Sequence, residues 1–364
     1  MKVEEKHIKR CIELAKKGEG YVSPNPLVGA VIVKSGKVLG EGFHKKYGDT
    51  HAEVNAFENS AGDVRGATLY SNLEPCCHSN KQTPPCVPLI ISKGIKKVVI
   101  SNLDSNPSVN AKGIQQLQDA GVEVITGIIE DEANELNKFY FKFVSKKLPY
   151  ITIKIAQSAD GFMSKTKNEQ TWFTGKEAAM FVHRQRAKYD AVLVGANTVS
   201  VDDPLLTVRE VKGRNPKRLI IDGSLSIPLD SKLVAGDDPE KTWVFTSLNS
   251  DDKKIIALLN VGVKVFQLKS ENNKIKLIDI LKKLAHEMIT SLFVEGGANV
   301  FHQFITENLF DELILLQSPI KLGSGVPGFD FETAGDLKII QKEKIGIDEK
   351  IILKKKIDHF FTGI

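Results

Sequence analysis

Three short stretches that are able to share one metal ion constrain this chain more than anything else in its sequence. They are His51-Ala52-Glu53, Pro75-Cys76 and, further along, Pro84-Pro85-Cys86. One imidazole and two thiolates give zinc three protein ligands and leave a fourth position for water, which is typical of a catalytic rather than a structural site. We therefore predict that the chain folds so that His51, Cys76 and Cys86 bind one zinc ion.

Glu53 has the position that a proton shuttle needs beside such an ion. Water bound to zinc loses a proton near neutral pH and becomes a nucleophilic hydroxide. If a helix begins at His51, the Glu53 carboxylate can reach that water without binding the metal. A histidine one residue from a glutamate, followed by proline-flanked cysteines, is the pattern of the zinc nucleobase deaminases.

Two other interpretations of these residues remain open at this point. A closed structural zinc site needs a fourth Cys or His ligand, for which Cys77 and His78 are available. Alternatively, the histidine, the thiols and the glutamate are unrelated core and surface residues. Neither interpretation accounts for Glu53 beside a histidine that is followed by two Pro-Cys pairs, so we prefer the catalytic one.

Length and composition indicate an ordinary two-domain globular protein. The chain has 364 residues, 41% of them hydrophobic and 26% charged, with a net charge of +5, which suits a phosphorylated substrate better than nucleic acid. No apolar run approaches the ~18 residues of a membrane span, and the charged N-terminus does not resemble a signal peptide. Three of the four cysteines are clustered, which favours metal binding in a reducing compartment such as the cytoplasm.

Strands alternate with helices along the chain, which predicts an α/β fold. We place one domain at residues 1–146 and a second at 149–364, on either side of a short lysine-rich linker. In the first domain we predict a helix that opens at Glu74-Pro75-Cys76, because proline is tolerated in a first helical turn. We also predict one continuous helix over Glu130–Lys142.

Two stretches of the second half have the composition of ligand sites. Phe293-Val-Glu-Gly-Gly-Ala-Asn299 is a strand that leads into a glycine-rich helix start, where backbone N–H groups can approach a phosphate. Thr198–Arg209, predicted to be a loop, places carboxylates and a cation after a buried strand, where α/β proteins bind ligands. Considered alone, the glycine-rich stretch is also compatible with a plain tight turn, and Thr198–Arg209 with a solvated connection. Arg186, on a predicted helix, is likewise compatible with a surface charge.

Two series of motifs resemble the bifunctional deaminase–reductase family of riboflavin biosynthesis. In the first half they are Pro24-Asn-Pro-Leu-Val-Gly29, Gly42-Phe-His44, Gly48-Asp-Thr-His51-Ala-Glu53, Leu73-Glu-Pro-Cys76 and Thr83-Pro-Pro-Cys86. In the second half they are Lys154-Ile-Ala156-Gln-Ser-Ala-Asp160-Gly161, Trp172, Asp202-Asp-Pro-Leu-Leu-Thr-Val-Arg209 and Val294-Glu-Gly-Gly297. The resemblance covers nearly the whole chain. It implies a cytidine-deaminase-like α/β/α domain, a dihydrofolate-reductase-like α/β domain and a homo-oligomer, either a dimer or a tetramer.

The resemblance also implies a reaction and a set of site residues. The reaction is zinc-dependent deamination of a diaminopyrimidinone that carries a ribosylamino phosphate arm, followed by NADPH reduction of the ribosyl group. The implied substrate contacts of the deaminase are Asn25, His44 and His78. The implied cofactor contacts of the reductase are Ala156, Trp172, Thr198, Asp202 and the helix start Gly297, Ala298, Asn299, Val300, Phe301, His302 and Gln303. Its implied substrate contacts are Gln170, Arg186, Leu206, Arg209 and Glu295.

The sequence departs from the family pattern at a few positions. One residue more than usual separates Cys76 from Cys86, and Cys77, Gln170 and Gly223 stand where serine is usual. The main rival interpretation is a deaminase of nucleic-acid bases with a degenerate second domain. Such enzymes need basic residues and stacking aromatics around the pocket, and the first domain has few of either near its motifs.

Overall fold

The chain folds into two compact units, Met1–Leu148 and Pro149–Ile364. The computed structural model describes residues 3–77, 83–166, 169, 171–330 and 337–355. Each unit contains its own main β-sheet, so each is treated separately below.

The first unit is built from five strands and six helices in its described part. The strands are β1 (Gly29–Lys34), β2 (Lys37–Phe43), β3 (Thr68–Leu73), β4 (Lys97–Asn102) and β5 (Glu123–Ile125). The helices are α1 (Val3–Ala15), α2 (Ala52–Glu58), α3 (Cys86–Ser92), α4 (Lys112–Asp119), α5 (Glu130–Leu136) and α6 (Lys138–Lys146).

These strands form one sheet in the order β2-β1-β3-β4-β5, with helices on both faces. The first three strands pair antiparallel, and β3, β4 and β5 run parallel. Alternate residues of β1 belong to different cores: Ala30 and Ile32 pack with α2 and α3, whereas Val31 and Val33 pack with α1. This two-residue period explains why β1 is a continuous apolar run, since both of its faces are buried.

Two of the predicted helices of this unit are wrong in detail. Residues 74–77 are not helical, and the helix that follows begins at Cys86. The predicted helix Glu130–Lys142 is instead two helices, α5 and α6, which meet at Asn137. The buried Asn137 side chain accepts a hydrogen bond from the backbone N–H of Leu27 and donates one to its carbonyl, and these contacts hold it in a non-helical conformation.

The second unit contains thirteen strands and six helices in its described part. The strands are β6 (Tyr150–Gln157), β7 (Phe162–Ser164), β8 (Ala191–Gly195), β9 (Lys217–Ile221), β10 (Thr242–Ser247), β11 (Lys264–Leu268), β12 (Ser270–Glu271), β13 (Lys274–Ile275), β14 (Ser291–Gly296), β15 (Glu312–Gln317), β16 (Val326–Pro327), β17 (Leu337–Ile345) and β18 (Asp348–Lys355). The helices are α7 (Lys176–Lys188), α8 (Ala196–Asp202), α9 (Lys232–Ala235), α10 (Asp252–Asn260), α11 (Leu277–His286) and α12 (Ala298–Thr306).

Nine of these strands form one sheet in the order β11-β10-β9-β8-β14-β6-β15-β18-β17. The first seven run parallel, and β18 and β17 continue the sheet antiparallel. Because parallel strands end at the same edge, the turns after β6, β8 and β14 lie side by side, where α/β sheets bind their ligands.

The stretch Thr198–Arg209 is not a loop throughout, as the sequence had suggested. Helix α8 covers residues 196–202, and only the segment from Asp203 onward is irregular. Asp203 has a positive φ of 39° and ends the helix. In the described part of the chain, no helix is long and apolar enough to cross a membrane.

Candidate active sites

The first unit brings the three predicted metal ligands together. One ligand atom from each of His51, Cys76 and Cys86 lies within 4.8 Å of the others. Nδ1 of His51 is 3.2 Å from the Cys86 sulfur and 3.4 Å from the Cys76 sulfur. Tetrahedral zinc, with bonds of ~2.1 Å to nitrogen and ~2.3 Å to sulfur, separates two such ligand atoms by roughly 3.6 Å. The cluster therefore fits zinc after small side-chain movements.

Helix termini hold these ligands in place, although not as the sequence predicts. His51 is the residue before α2, and Cys86 is the first residue of α3. Cys76 lies outside any helix, but the N–H of Cys86 donates to its sulfur at 3.4 Å and to its carbonyl at 2.9 Å. The Cys76 sulfur thus lies at the N-terminus of α3 rather than at a helix of its own, and that helix end favours negative charge on the sulfur.

Glu53 lies in the first turn of α2 and is only 3% exposed. Burial raises the pKa of this carboxyl, although the nearby His51 lowers it. The Cys86 thiol donates a hydrogen bond to Glu53, so the carboxylate lies directly beside the ligand cluster. A buried carboxyl with a raised pKa next to a metal site is suited to take up and release a proton.

The Cys86 thiol is itself perturbed by this crowded environment. Its hydrogen bond with Cys76, its burial and the charge of Glu53 raise the pKa of Cys86 well above its ordinary value. Two buried sulfurs beside a carboxylate form a site in which a divalent cation is the natural counter-charge, because a coordinated thiol is deprotonated outright.

Asn25 and His44 line the same region. His44 Nδ1 donates to the Thr50 carbonyl at 3.1 Å, which leaves Nε2 to accept from the Asn25 amide at 3.1 Å. The rings of His44 and His51 are 5.7 Å apart, so both predicted substrate residues lie next to a metal ligand. His78, the third, lies outside the described residues.

Two further residues flank the ligand Cys76: Cys77 was a candidate fourth ligand of a structural site, whereas Glu74 was assigned no role from the sequence. Cys77 points away and contacts the Ser108 carbonyl at 3.9 Å. The buried Glu74 accepts hydrogen bonds from the backbone N–H groups of Asp104, Ala111 and Gly113 at 3.0–3.2 Å. It thereby fixes the peptide that leads into Cys76. In the sequence, a charged residue directly after a buried strand was the signal that could have identified Glu74.

In the second unit, the turn between β14 and α12 has the predicted glycine-rich form. Gly297 has a φ of 91°, which favours glycine. A Cβ on Gly296 would lie 2.9 Å from the Thr198 side chain and 3.0 Å from Val194. The close packing of Thr198 against this turn places α8 next to the start of α12, so two predicted cofactor residues lie together.

The helix that follows presents its residues unequally. Ala298 and Gln303 are half-buried and Asn299 and His302 are exposed, whereas Val300 and Phe301 are buried in the core. The last two can therefore contact a cofactor only through their backbone.

A buried charge cluster lies beside this turn. Arg186 donates from Nε and Nη2 to the two oxygens of Glu295 at 2.5 and 2.9 Å, and from Nη1 to the Thr207 carbonyl at 3.1 Å. Burial opposes ionisation of Glu295, but Arg186 and Lys154 lower its pKa. The Arg186 side chain is only 12% exposed, so this arginine is not the surface charge that composition alone would suggest.

Lys154 belongs to the same cluster, and sequence reasoning assigned it no role. Its ammonium group is 3.8 Å from Glu295 and interacts electrostatically with Asp202. Burial lowers the pKa of Lys154, although Glu295 raises it. Burial also raises the pKa of Asp202. A lysine within the apolar strand Tyr150–Gln157 was the signal that could have identified it.

The remaining predicted residues of the second unit differ in their exposure. Arg209 is exposed, and its backbone N–H donates to Nδ1 of His183. Leu206 is buried with a φ of 51°, and Ala156 is half-buried near the end of β6. Trp172 is 79% exposed. Gln170 lies outside the described residues.

Comparison with known proteins identifies the family. Residues 149–353 match the RibD C-terminal domain, and residues 1–102 match the cytidine and deoxycytidylate deaminase zinc-binding region. The riboflavin biosynthesis protein RibD of Bacillus amyloliquefaciens is 41% identical over 358 residues, which are 96% of this chain and 95% of that protein. The chain belongs to the RibD family.

Other RibD proteins agree with this assignment. The protein of the same name from Aquifex aeolicus is 41% identical over 355 residues, 97% of this chain and 94% of its own. The structure of Acinetobacter baumannii RibD, form 1, has a TM-score of 0.87 at 34% identity and covers 97% of this chain and 99% of that one. A diaminohydroxyphosphoribosylaminopyrimidine deaminase/5-amino-6-(5-phosphoribosylamino)uracil reductase from Thermotoga maritima has a TM-score of 0.84 at 35% identity and covers 97% and 98%.

Membership of the RibD family confirms several predictions. The chain is an α/β enzyme that acts on a small molecule, with a zinc-dependent deaminase region followed by a reductase domain that uses NADPH. The rival interpretation, a nucleic-acid deaminase with a degenerate second half, is not favoured, because the RibD C-terminal domain matches residues 149–353.

Proposed function

We propose that this RibD protein performs two consecutive reactions on one pyrimidine intermediate. The unit ending at Leu148 is the deaminase domain. It replaces the 2-amino group of 2,5-diamino-6-ribosylamino-4(3H)-pyrimidinone 5′-phosphate by oxygen and releases ammonia. The unit from Pro149 onward is the reductase domain, which converts the ribosyl group into a ribityl chain. The main observation in support is the buried Glu53 beside three convergent ligand atoms, and the Thermotoga maritima relative is named for these two activities.

In the deaminase, His51, Cys76 and Cys86 hold the zinc ion, which when bound supplies an activated water near neutral pH. Glu53 would take up a proton at its carboxylate and deliver it to the departing amine. Its burial favours this role, because the raised pKa lets it hold the proton between the two transfers.

Asn25 and His44 orient the substrate in the deaminase pocket, together with His78. The Thr50 carbonyl fixes the tautomer of His44, so its Nε2 is an acceptor, and the Asn25 amide beside it is a donor. Because Asn25 donates to His44 itself, His44 fixes the orientation of the Asn25 amide. The carbonyl oxygen and the second N–H of that amide are an acceptor and a donor that match the alternating polar groups on the edge of an aminopyrimidinone ring.

In the reductase, the Gly296-Gly297 turn and the start of α12 hold the cofactor, with Ala156, Trp172, Thr198 and Asp202. Glycine at these positions allows close approach of backbone N–H groups to the cofactor phosphates. NADPH supplies the hydride when it is bound.

The substrate of the reductase lies next to Glu295 and Leu206, and its phosphate is bound by Arg209. Among the described residues, the Thr207 hydroxyl is the one group hydrogen-bonded to the Arg209 guanidinium, which leaves this exposed fork able to bind an anion in bidentate fashion. Arg186 is committed to Glu295 and Thr207 and therefore orients Glu295. Gln170 completes the proposed substrate set.

We also propose that the protein works in the cytoplasm as a homo-oligomer, either a dimer or a tetramer. Its four cysteines are free, as is usual in a reducing compartment. The edge strand β17 exposes Ile339 and Ile340, which is unusual for an unpaired sheet edge. Sedimentation analysis measures the oligomeric state directly.

Incubation with the diaminopyrimidinone phosphate, with and without NADPH, tests the proposal. Mass analysis should show loss of one amino group and gain of oxygen without NADPH, and a further gain of two hydrogens when NADPH is present. If ammonia appears only with single-stranded nucleic acid as substrate, the rival interpretation is correct. If neither substrate changes, the proposed function is wrong.

A further inference from the structure

Thr83 contacts the metal-ligand cluster from the side opposite the sulfurs. Its hydroxyl oxygen lies 2.9 Å from Nε2 of His51. The other ring nitrogen of His51, Nδ1, faces the sulfurs of Cys86 and Cys76 at 3.2 and 3.4 Å. The two nitrogens of one imidazole therefore point in different directions, one towards the metal position and one towards the threonine.

We propose that Thr83 is a positioning residue for the zinc site, which holds the ring of His51 with Nδ1 directed at the metal position. The Nε2–H group donates to the Thr83 hydroxyl, so the lone pair of Nδ1 is directed at the position between the two sulfurs. Because a hydroxyl can accept from Nε2–H, this hydrogen bond fixes the orientation of the ring in the tautomer whose Nδ1 is free of hydrogen and able to coordinate. The proposal rests on the zinc-dependent function proposed above.

The chain fixes Thr83 more firmly than a typical loop residue. Two prolines follow it, and Pro85 is extended (φ −66°, ψ 144°) immediately before α3. Proline restricts its own φ and disfavours helical conformations of the residue before it. Cys86 lies directly after these prolines, so one short, stiff segment carries a metal ligand and also orients a second ligand.

General experience with metal sites gives the expected magnitude. A histidine ligand almost always donates its second N–H to an oxygen acceptor, and loss of that acceptor weakens metal binding by about 10–100-fold. Thr83→Val removes the hydroxyl and keeps the size and branching of the side chain. Thr83→Ser keeps the hydroxyl and loses only a methyl group.

The test uses the full-length protein and zinc alone, with the dissociation constant measured by competition with a chromogenic chelator. We expect Thr83→Val to weaken zinc binding about 10–100-fold and Thr83→Ser to restore most of the affinity. Thr306→Val is the matched control, because it removes a threonine hydroxyl 3.4 Å from Nε2 of His302 in the other unit. It should bind zinc as the unchanged protein does.

Cobalt substitution provides a second measurement that general destabilisation would not alter. The visible absorption of bound Co²⁺ depends on its ligand geometry, so it should shift in Thr83→Val and return in Thr83→Ser. If Thr83→Val does not fold, Thr83→Ala with the same Ser comparison replaces it.

The possible outcomes separate this inference from the function on which it rests. Unchanged zinc affinity and an unchanged cobalt spectrum in Thr83→Val would refute the role of Thr83 while the zinc site stands. A serine variant as weak as the valine variant would refute it as well. Failure of the unsubstituted protein to bind zinc would instead refute the proposed deaminase site.

Discussion

Breaking the buried pair between Arg186 and Glu295 should destabilise the second unit strongly. Arg186→Met keeps the length of the side chain but leaves both Glu295 oxygens and the Thr207 carbonyl without their arginine donors. Removal of one partner of a buried ion pair costs about 3–5 kcal/mol, because an uncompensated charge remains. Lys154 remains 3.8 Å from Glu295 and still compensates part of its charge. We therefore expect a loss in the free energy of unfolding at the lower end of this range, about 3 kcal/mol. For a unit of this size that is a decrease in Tm of roughly 6–12 °C.

Tryptophan fluorescence can follow this unit selectively. The chain has two tryptophans, Trp172 and Trp243, and both belong to the second unit; Trp243 is buried in β10. Thermal and urea unfolding followed at these residues therefore report the change in free energy of unfolding. Arg184→Met is the matched control, since this exposed arginine lies on the same helix, and it should change the free energy of unfolding by less than about 0.5 kcal/mol.

The pH dependence gives a second measure of the same pair. Arg186 and Lys154 lower the pKa of Glu295 in the folded state despite its burial. Its contribution to stability is therefore present above the unfolded pKa of about 4.5 and is lost as the pH falls through the lower folded value. In Arg186→Met, the buried Glu295 has one cation fewer beside it, so its pKa is raised. Protonation of Glu295 then removes the uncompensated buried charge and restores part of the stability. The stability difference between the two proteins should narrow as the pH falls from 7 towards about 4. A loss in the free energy of unfolding below about 1 kcal/mol, or a stability difference between the two proteins that does not change with pH, would refute the reasoning.

Five further substitutions test the proposed sites. By metal analysis, Cys76→Ser should lose most of its zinc. Cys77→Ser should keep one zinc ion per chain, because Cys77 contacts the Ser108 carbonyl instead. The reverse result would mean that the ligand set is wrong. Glu53→Gln should retain zinc, and its rate of deamination should fall by at least about 10²–10⁴-fold. Its rate of reduction of pre-deaminated substrate should be unchanged. Ammonia release at a near-normal rate would exclude the role of Glu53 as proton shuttle. Arg209→Ala should raise the KM of the reductase for its substrate. Gly297→Val should raise the KM for NADPH, because a side chain at this position blocks close approach of the cofactor to the backbone. Steady-state kinetics with each ligand varied separately measure both constants, and the opposite pattern would mean that the substrate and cofactor sites are exchanged.

Much of the fold could be predicted because its signals are local. The apolar run at β1 and the amphipathic pattern of α11 (Leu277–His286) depend on residues close in sequence, so each can be found from a short stretch of the chain alone. Strand β17 gave no such signal. Most of its residues are exposed, so it carries no hydrophobic alternation, and its pairing with β18 is what defines it.

Other elements depend on distant contacts that a local pattern does not contain. The charged and aromatic residues over 130–142 suit a continuous helix. The break at Asn137 arises from its two hydrogen bonds to the backbone of Leu27, a residue in the loop before β1. Such a side-chain contact outweighs helix propensity, which differs by less than about 1 kcal/mol between ordinary residues.

The predicted ligand set could be assembled from the sequence, but the reason given for Cys76 was wrong. Cys76 and Cys86 each follow a proline, so the local signal for a helix start is the same at both. Only Cys86 begins a helix, and its N–H groups and those of Val87 bind Cys76 from outside. One helix end therefore serves two ligands, which no local pattern specifies. The backbone of Cys76 and the first turn of α3 therefore hold both sulfurs in place.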